Sequence, residues 1–202
     1  MSTSESGPET GEAGTEERED DAQVNREVAW RVFAREYNDS DLSFKEGDDE
    51  RAPNYVVTPT GAKINRVFVV GVVTEVDNIG DDGDLYRVRL TDPTGAFVVY
   101  AGQYQPDAMS LFADLEPPEF VAVVGKARTY EPDDSDEIYT SVRPEEVNTV
   151  DSETRDRWCV ETARQTLRRV EAVSGYLEDG TADLETTPPL HDLNETVDHV
   201  DE

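Results

Sequence analysis

Arg66-Val-Phe-Val-Val-Gly-Val-Val-Thr-Glu-Val76 is rich in valine and holds a single glycine, Gly71, near its centre. Branched and aromatic side chains at this density specify a β-strand. The run is long for one, and a glycine inside a strand marks a bend or the close approach of another backbone. Strand signals continue downstream. Leu85 to Thr91 alternates Tyr86, Val88 and Leu90 with Arg87 and Arg89; Phe97 to Tyr100 is a third run, Phe120 to Tyr130 a fourth and Ile138 to Val147 a fifth. Asn78-Ile-Gly-Asp-Asp-Gly-Asp84 and Asp92-Pro-Thr-Gly95 supply turns between the first three. Gln105 to Leu115 fits a helix with Pro106 in the first turn, where a missing N–H is harmless.

Five strands within residues 64–147, with one short helix after the third, follow the order of an OB-fold, a partly open Greek-key barrel. A five-stranded SH3-like barrel is the competing architecture. The helix position and the glycine in a long first strand, able to turn a barrel corner, favour the OB-fold. The expected fold class is mainly β: a five-stranded OB-fold barrel with an N-terminal helix, a C-terminal partner-binding helix and acidic disordered tails.

Upstream, Gln23 to Tyr37 sets Val28, Ala29, Val32, Phe33 and Tyr37 at spacings of three and four, which predicts an amphipathic helix. Asn38 to Pro53 is polar. Asn54-Tyr-Val-Val-Thr-Pro-Thr-Gly61 then reads as a short extended segment closed by a turn, placed to pair at the barrel's edge. Downstream, Asp151 to Leu177 predicts another helix, capped by Asp151 or Ser152. Along it Val160, Ala163, Leu167, Val170, Ser174 and Leu177 follow a four-three spacing. Such a stripe packs on another subunit's helix, or docks on its own barrel or N-terminal helix; its length against so small a barrel favours another subunit. The expected organisation is an acidic tail (1–22), a helix and extended linker (23–63), the barrel (64–147), the association helix (148–177) and a second acidic tail (178–202).

The 202 residues include 47 Asp and Glu against 18 Lys and Arg, a formal net charge of -29. By segment the charge is -7 for 1–22, -2 for 23–63, -11 for 64–147, zero for 148–177 and -9 for 178–202. An acid excess even in the strand-rich middle fits a surface adapted to molar salt, where the Debye length is about 3 Å and self-repulsion is screened. A halophilic cytoplasm is therefore expected, an ordinary acidic protein with two acidic tails being the plainer alternative. One cysteine, Cys159, leaves no intramolecular disulfide and fits a reducing compartment. No apolar run approaches the roughly 18 residues of a membrane span, and the N-terminus lacks the features of a signal peptide.

Within this acidity, Val121-Ala-Val-Val-Gly-Lys-Ala-Arg-Thr-Tyr130 sets Lys126, Arg128 and Tyr130 on one strand face. Arg87 and Arg89 share the face opposite Val88 and Leu90. Cations that follow phosphates beside rings that stack on bases are what single-stranded nucleic acid needs, and RNA would be served by the same surface. The blander reading is that the arginines pair with acids on neighbouring strands and Tyr130 covers the barrel end. Nine of the barrel's 17 acids fall in Asp77 to Asp84 and Glu131 to Glu137, the loops after the first and fourth strands. Catalysis finds no footing. His191 and His199 sit in the acidic tail, no nucleophile has a base beside it, Asp77 to Asp84 lacks EF-hand spacing, and no glycine-rich phosphate loop is present. Neither an enzyme nor a cofactor or metal is expected.

Three stretches in this order, Val67 to Val76, Tyr86-Arg-Val-Arg-Leu-Thr-Asp-Pro-Thr-Gly95 and Pro117-Pro-Glu-Phe-Val-Ala-Val-Val-Gly-Lys-Ala-Arg-Thr-Tyr130, resemble the replication protein A family, its middle subunit in particular. The resemblance covers residues 64–147 and runs on to Leu177, and Asn54 to Gly71 is similar more narrowly to haloarchaeal replication protein A associated proteins. It implies that aromatics on the third and fourth strands stack on bases of single-stranded DNA and that the helix after the barrel joins partner subunits. Tyr130 takes the fourth-strand aromatic position and Arg128 the basic position two before it; Tyr100 or Tyr104 takes the third-strand position. The implied assembly is a hetero-oligomer with a larger replication protein A subunit, acting on single-stranded DNA in replication and repair. The alternative is an accessory protein that binds that subunit through its helix and barely touches DNA. A zinc ribbon, found in some large subunits of the family, is ruled out by the single cysteine.

Overall fold

The computed structural model describes residues 27–46, 53–80, 85–132 and 137–179, with side chains described as far as residue 175. The expectations for 1–22, for the start of the N-terminal helix and for the tail after 179 lie outside the described residues. The predicted helix over 23–37 survives only as α1 (Ala34–Asn38). Residues 27–33 form no helix; Trp30 sits in a β-bridge and Phe33 is extended. The Trp30 N–H donates to the Arg66 carbonyl at 2.9 Å and the Trp30 carbonyl accepts the Phe68 N–H at 2.7 Å, a parallel bridge to Val67. An unpaired strand edge there offers the segment backbone partners that local helix propensity does not outweigh.

β1 (Leu42–Lys45), β2 (Asn54–Val57) and β3 (Lys63–Ile64) form a small antiparallel sheet in that order. The extended segment from Asn54 thus pairs within this sheet rather than on the barrel's edge. Its turn needs Gly61, at φ 80°. Asn65 joins the sheet end-on to the barrel, its carbonyl accepting the Ala127 N–H at 2.9 Å.

β4 (Arg66–Asn78), β5 (Leu85–Thr91), β6 (Ala96–Gly102), β7 (Glu119–Tyr130) and β8 (Tyr139–Thr149) close a barrel in the order β4-β5-β6-β8-β7. Alternation sends Val67, Val69, Val73, Val88, Leu90, Phe97, Val99, Val121, Val123, Ala127 and Val142 into a core in which none is more than 1% exposed. β4 pairs with β7 through its first half and with β5 through its second. Gly71 sits at the handover, where a Cβ would lie 2.4 Å from the Thr91 carbonyl oxygen, so no other residue fits. α2 (Pro106–Asp114) covers the core with Ala108 and Phe112.

The N-terminal segment fastens itself across the barrel. The Ala34 N–H donates to Asp92 Oδ2 at 2.7 Å, and Asn38 Nδ2 donates to the Ala96 carbonyl at 2.9 Å. Tyr37 is fully buried against Phe97. Its hydroxyl donates to the Ser141 carbonyl at 2.6 Å and accepts the Arg128 N–H at 3.1 Å, which bridges β7 to β8; burial pushes its phenol pKa well up.

α3 (Ser152–Asp179) begins at the predicted cap, the Thr154 N–H donating to Asp151 Oδ1 at 2.8 Å. It docks on its own barrel, but by the face that carries Trp158 and Thr162 rather than by the predicted stripe, whose Val160, Leu167 and Val170 stay exposed. The Trp158 indole donates to the Phe68 carbonyl at 2.9 Å and its ring meets Phe33 edge-on. Farther along, Arg169 is 1% exposed and donates to both carboxylate oxygens of Glu36 at 2.8 Å, with Thr60 and Thr166 completing the cluster.

Candidate nucleic-acid interface

Because Val88, Leu90 and Val99 point inward, Arg87, Arg89, Val98 and Tyr100 point out, and the register sets Arg87 beside Tyr100 and Arg89 beside Val98. On the other flank of β5 stand acids: Asp77 is the register partner of Arg87 and Glu75 that of Arg89. Arg87 Nη2 lies 2.7 Å from Asp77 Oδ2, and this hydrogen bond raises the already high arginine pKa. For Arg87 the blander reading therefore holds: its charge is met by a neighbouring strand.

On β7 and β8, Lys126, Arg128 and Tyr130 also point out, opposite Arg143, Ser141 and Tyr139 in register. Lys126 is the least available of the three. Its Nζ donates to Asn65 Oδ1 at 2.7 Å, and burial, followed by the nearby Arg66 guanidinium, pushes its pKa down. Arg66 is itself held by a two-pronged contact to Glu145. Lys126, Arg128, Arg143 and Tyr104 line one groove of about 740 Å³ between β7–β8 and the start of α2, whose walls also carry four carboxylates.

Tyr130 stands clear of that groove at 65% exposed, with Tyr139 directly across from it at 52%. The Tyr139 hydroxyl donates to Glu137 Oε2 at 2.7 Å, which raises its pKa. The choice between Tyr100 and Tyr104 does not reduce to one residue. Tyr100 lies on the strand beside Arg87, whereas Tyr104, 76% exposed, lies in the turn before α2 with the Arg143 guanidinium 5.8 Å from its ring centroid. Tyr139 and Arg143 escaped the sequence reading although the signal was present: with Val142 inward, alternation along β8 turns both outward.

A second surface lies on α3. Val160, Leu167 and Val170 are 50%, 61% and 43% exposed, Ala163 is partly covered, and the side chain of Leu177 lies outside the described residues. Among the described residues, no group of three or more His, Cys, Asp or Glu is placed to hold a metal ion, and no helix is long and apolar enough to cross a membrane.

No family model matches the chain, and no curated protein sequence matches it. Solved structures do. A chain of the S. pombe Stn1-Ten1 complex superposes with a TM-score of 0.55 at 12% identity, over 72% of this chain and 96% of that one. A chain of a Replication Protein A heterotrimer bound to single-stranded DNA gives 0.49 at 14%, over 71% and 98%. The second single-stranded DNA binding protein of Mycobacterium smegmatis gives 0.36 at 22%, over 43% and 86%. The first likeness, with the strand order above, establishes the barrel as an OB-fold.

Proposed function

We propose that this chain is a non-enzymatic OB-fold subunit of a replication protein A-type complex, which binds single-stranded DNA on the outer face of β5–β8 and a larger subunit through α3. One observation carries this reading. Nine large apolar or aromatic side chains are exposed among the described residues; four are Tyr100, Tyr104, Tyr130 and Tyr139, and three are Val160, Leu167 and Val170. Seven of the nine therefore fall on two surfaces, one of rings beside arginines and one an apolar helix stripe. Ring stacking contributes roughly 1 to 3 kcal/mol per base and tolerates any sequence. The stripe suits a helix of a second subunit, and the Stn1-Ten1 structure is likewise an assembly of more than one protein.

The acidic surface argues for work in concentrated salt. Phosphate repulsion is screened there, counterion release contributes less, and stacking persists. Titrating a labelled oligothymidine in molar salt tests the assignment: Tyr130→Ala weakens binding more than Lys126→Ala, because the lysine is committed to Asn65. Equal or reversed losses would defeat it.

The accessory reading, partner binding with little DNA contact, is favoured by the pairing of Arg87 with Asp77. Deleting residues 151–202 does not separate the two readings, since Trp158 is packed on the barrel and Arg169 on Glu36 and Thr60, so their removal damages the fold. Leu167→Asp does. DNA binding by the isolated chain survives it under the first reading, and under the accessory reading no DNA binding exists to survive.

A further inference from the structure

Resting on that DNA-binding reading, we infer that the strand runs along β7–β8, with Tyr139 and Tyr130 receiving a base at one end and Arg143 meeting a phosphate on the way to Tyr104. Neither Tyr139 nor Arg143 belongs to the expected site. Tyr130 and Tyr139 are register partners, so their Cβ atoms are about 4.5 to 5.5 Å apart, yet both rings remain more than half exposed. Two adjacent rings left to water form a stacking platform, and nothing else in the described barrel offers one.

The same outward row continues with Ser141 and Arg128, which are register partners, and then with Arg143. Arg143 is four residues beyond Tyr139, about 13 Å along an extended strand, and its guanidinium is 5.8 Å from the Tyr104 ring centroid. Ring, cation, cation and ring thus line one path. The alternative path over β5 offers less: Arg87 is already paired with Asp77 and Glu75 is the register partner of Arg89, and among the described residues no second exposed ring stands beside Tyr100 there. Lys126, partly buried on Asn65, adds little to either path.

The test uses the full-length chain and a labelled oligothymidine, followed by fluorescence anisotropy in dilute and in molar salt. Tyr139→Ala is expected to weaken binding by about 5- to 100-fold at both salts, the equivalent of one lost stacking contact. Tyr139→Phe retains affinity, because the ring rather than its bond to Glu137 makes the contact. Arg143→Ala loses affinity in dilute salt and less in molar salt, while Arg87→Ala changes least. If Tyr139→Ala and Arg143→Ala stay within about twofold of the parent while Arg87→Ala or Arg89→Ala falls, the path runs over β5 and the inference is overturned. Tighter binding of an oligouridine than of the oligothymidine overturns the DNA assignment. Absence of binding by the parent chain at either salt defeats the underlying reading instead, a result distinct from both.

Discussion

Viewed down its axis, α3 presents two faces about 120° apart that invert the usual arrangement. The side pressed on the molecule is largely polar after Trp158: Thr162 and Arg169 are buried, and Thr166 joins them against Glu36 and Thr60. The side left to solvent carries Val160, Leu167 and Val170. A buried ion pair rarely adds stability over an apolar pair of the same shape, because desolvation offsets most of the Coulomb attraction. What it adds here is direction. Apolar contacts permit a helix to slide or roll, whereas Arg169 donating to both oxygens of Glu36 permits one azimuth, and that azimuth turns the apolar stripe outward.

The contrast can be broken most severely at the ion pair. Arg169→Ala leaves a carboxylate almost fully buried without its cation, and a loss of about 3 to 5 kcal/mol is expected in chemical denaturation at fixed salt. A loss below about 1 kcal/mol would mean that Glu36 reaches water and that the polar face does not orient the helix. The joint replacement Glu36→Leu with Arg169→Met restores most of the stability. It does not restore partner affinity if orientation is what the pair provides.

A middling effect is expected on the exposed face. Leu167→Asp leaves the denaturation midpoint of the isolated chain unchanged, since the side chain is 61% exposed. Binding to a larger subunit weakens by about 10- to 100-fold, the equivalent of burying one leucine. A fall in the midpoint of the isolated chain would show instead that the stripe belongs to its own core.

The smallest effect concerns where α3 begins. The Thr154 N–H bonded to Asp151 holds that carboxyl pKa below its ordinary value, so the folded state binds its proton less readily than the unfolded state does. This stabilisation is present above the unfolded carboxylate pKa and is lost as pH falls through the lower folded value. Asp151→Asn keeps an acceptor at the cap and removes that acid-side slope. A slope unchanged in the variant would show that other carboxylates carry it.

The barrel was legible because valine-dense runs mark its strands, alternation sets the inward face of β5 and β7, and Gly71 and Pro106 occupy positions where only backbone demands explain them. The N-terminal segment was not. Val28 to Tyr37 has apolar residues at spacings that suit a helix, and what decides for an extended chain is an open edge at Arg66 to Phe68, invisible until β4 is placed. β1 lies in a polar stretch with only Leu42 and Phe44 to signal it. On the candidate interface, alternation identified the outward residues correctly. Which cations were already engaged depended on register, since Asp77 meets Arg87 and Asn65 meets Lys126 only through the pairing of β4 with its neighbours. Arg169 read as an ordinary charge on a neutral helix, because its partner is 133 residues away.

That distance bears on the order in which a chain made from its N-terminus becomes a finished molecule. Ala34 waits for Asp92, 58 residues later, Tyr37 for Ser141, 104 later, and Glu36 for Arg169, 133 later. Local pairings such as β5 with β6 close early, while contacts so remote close late. Among the described residues, the first to leave the ribosome are therefore the last to be locked down. Chains arrested before β8 emerges should be cut by protease within residues 27–46 and spared once it has; equal cutting at both lengths would mean that the segment docks without waiting for Tyr37 to find its socket.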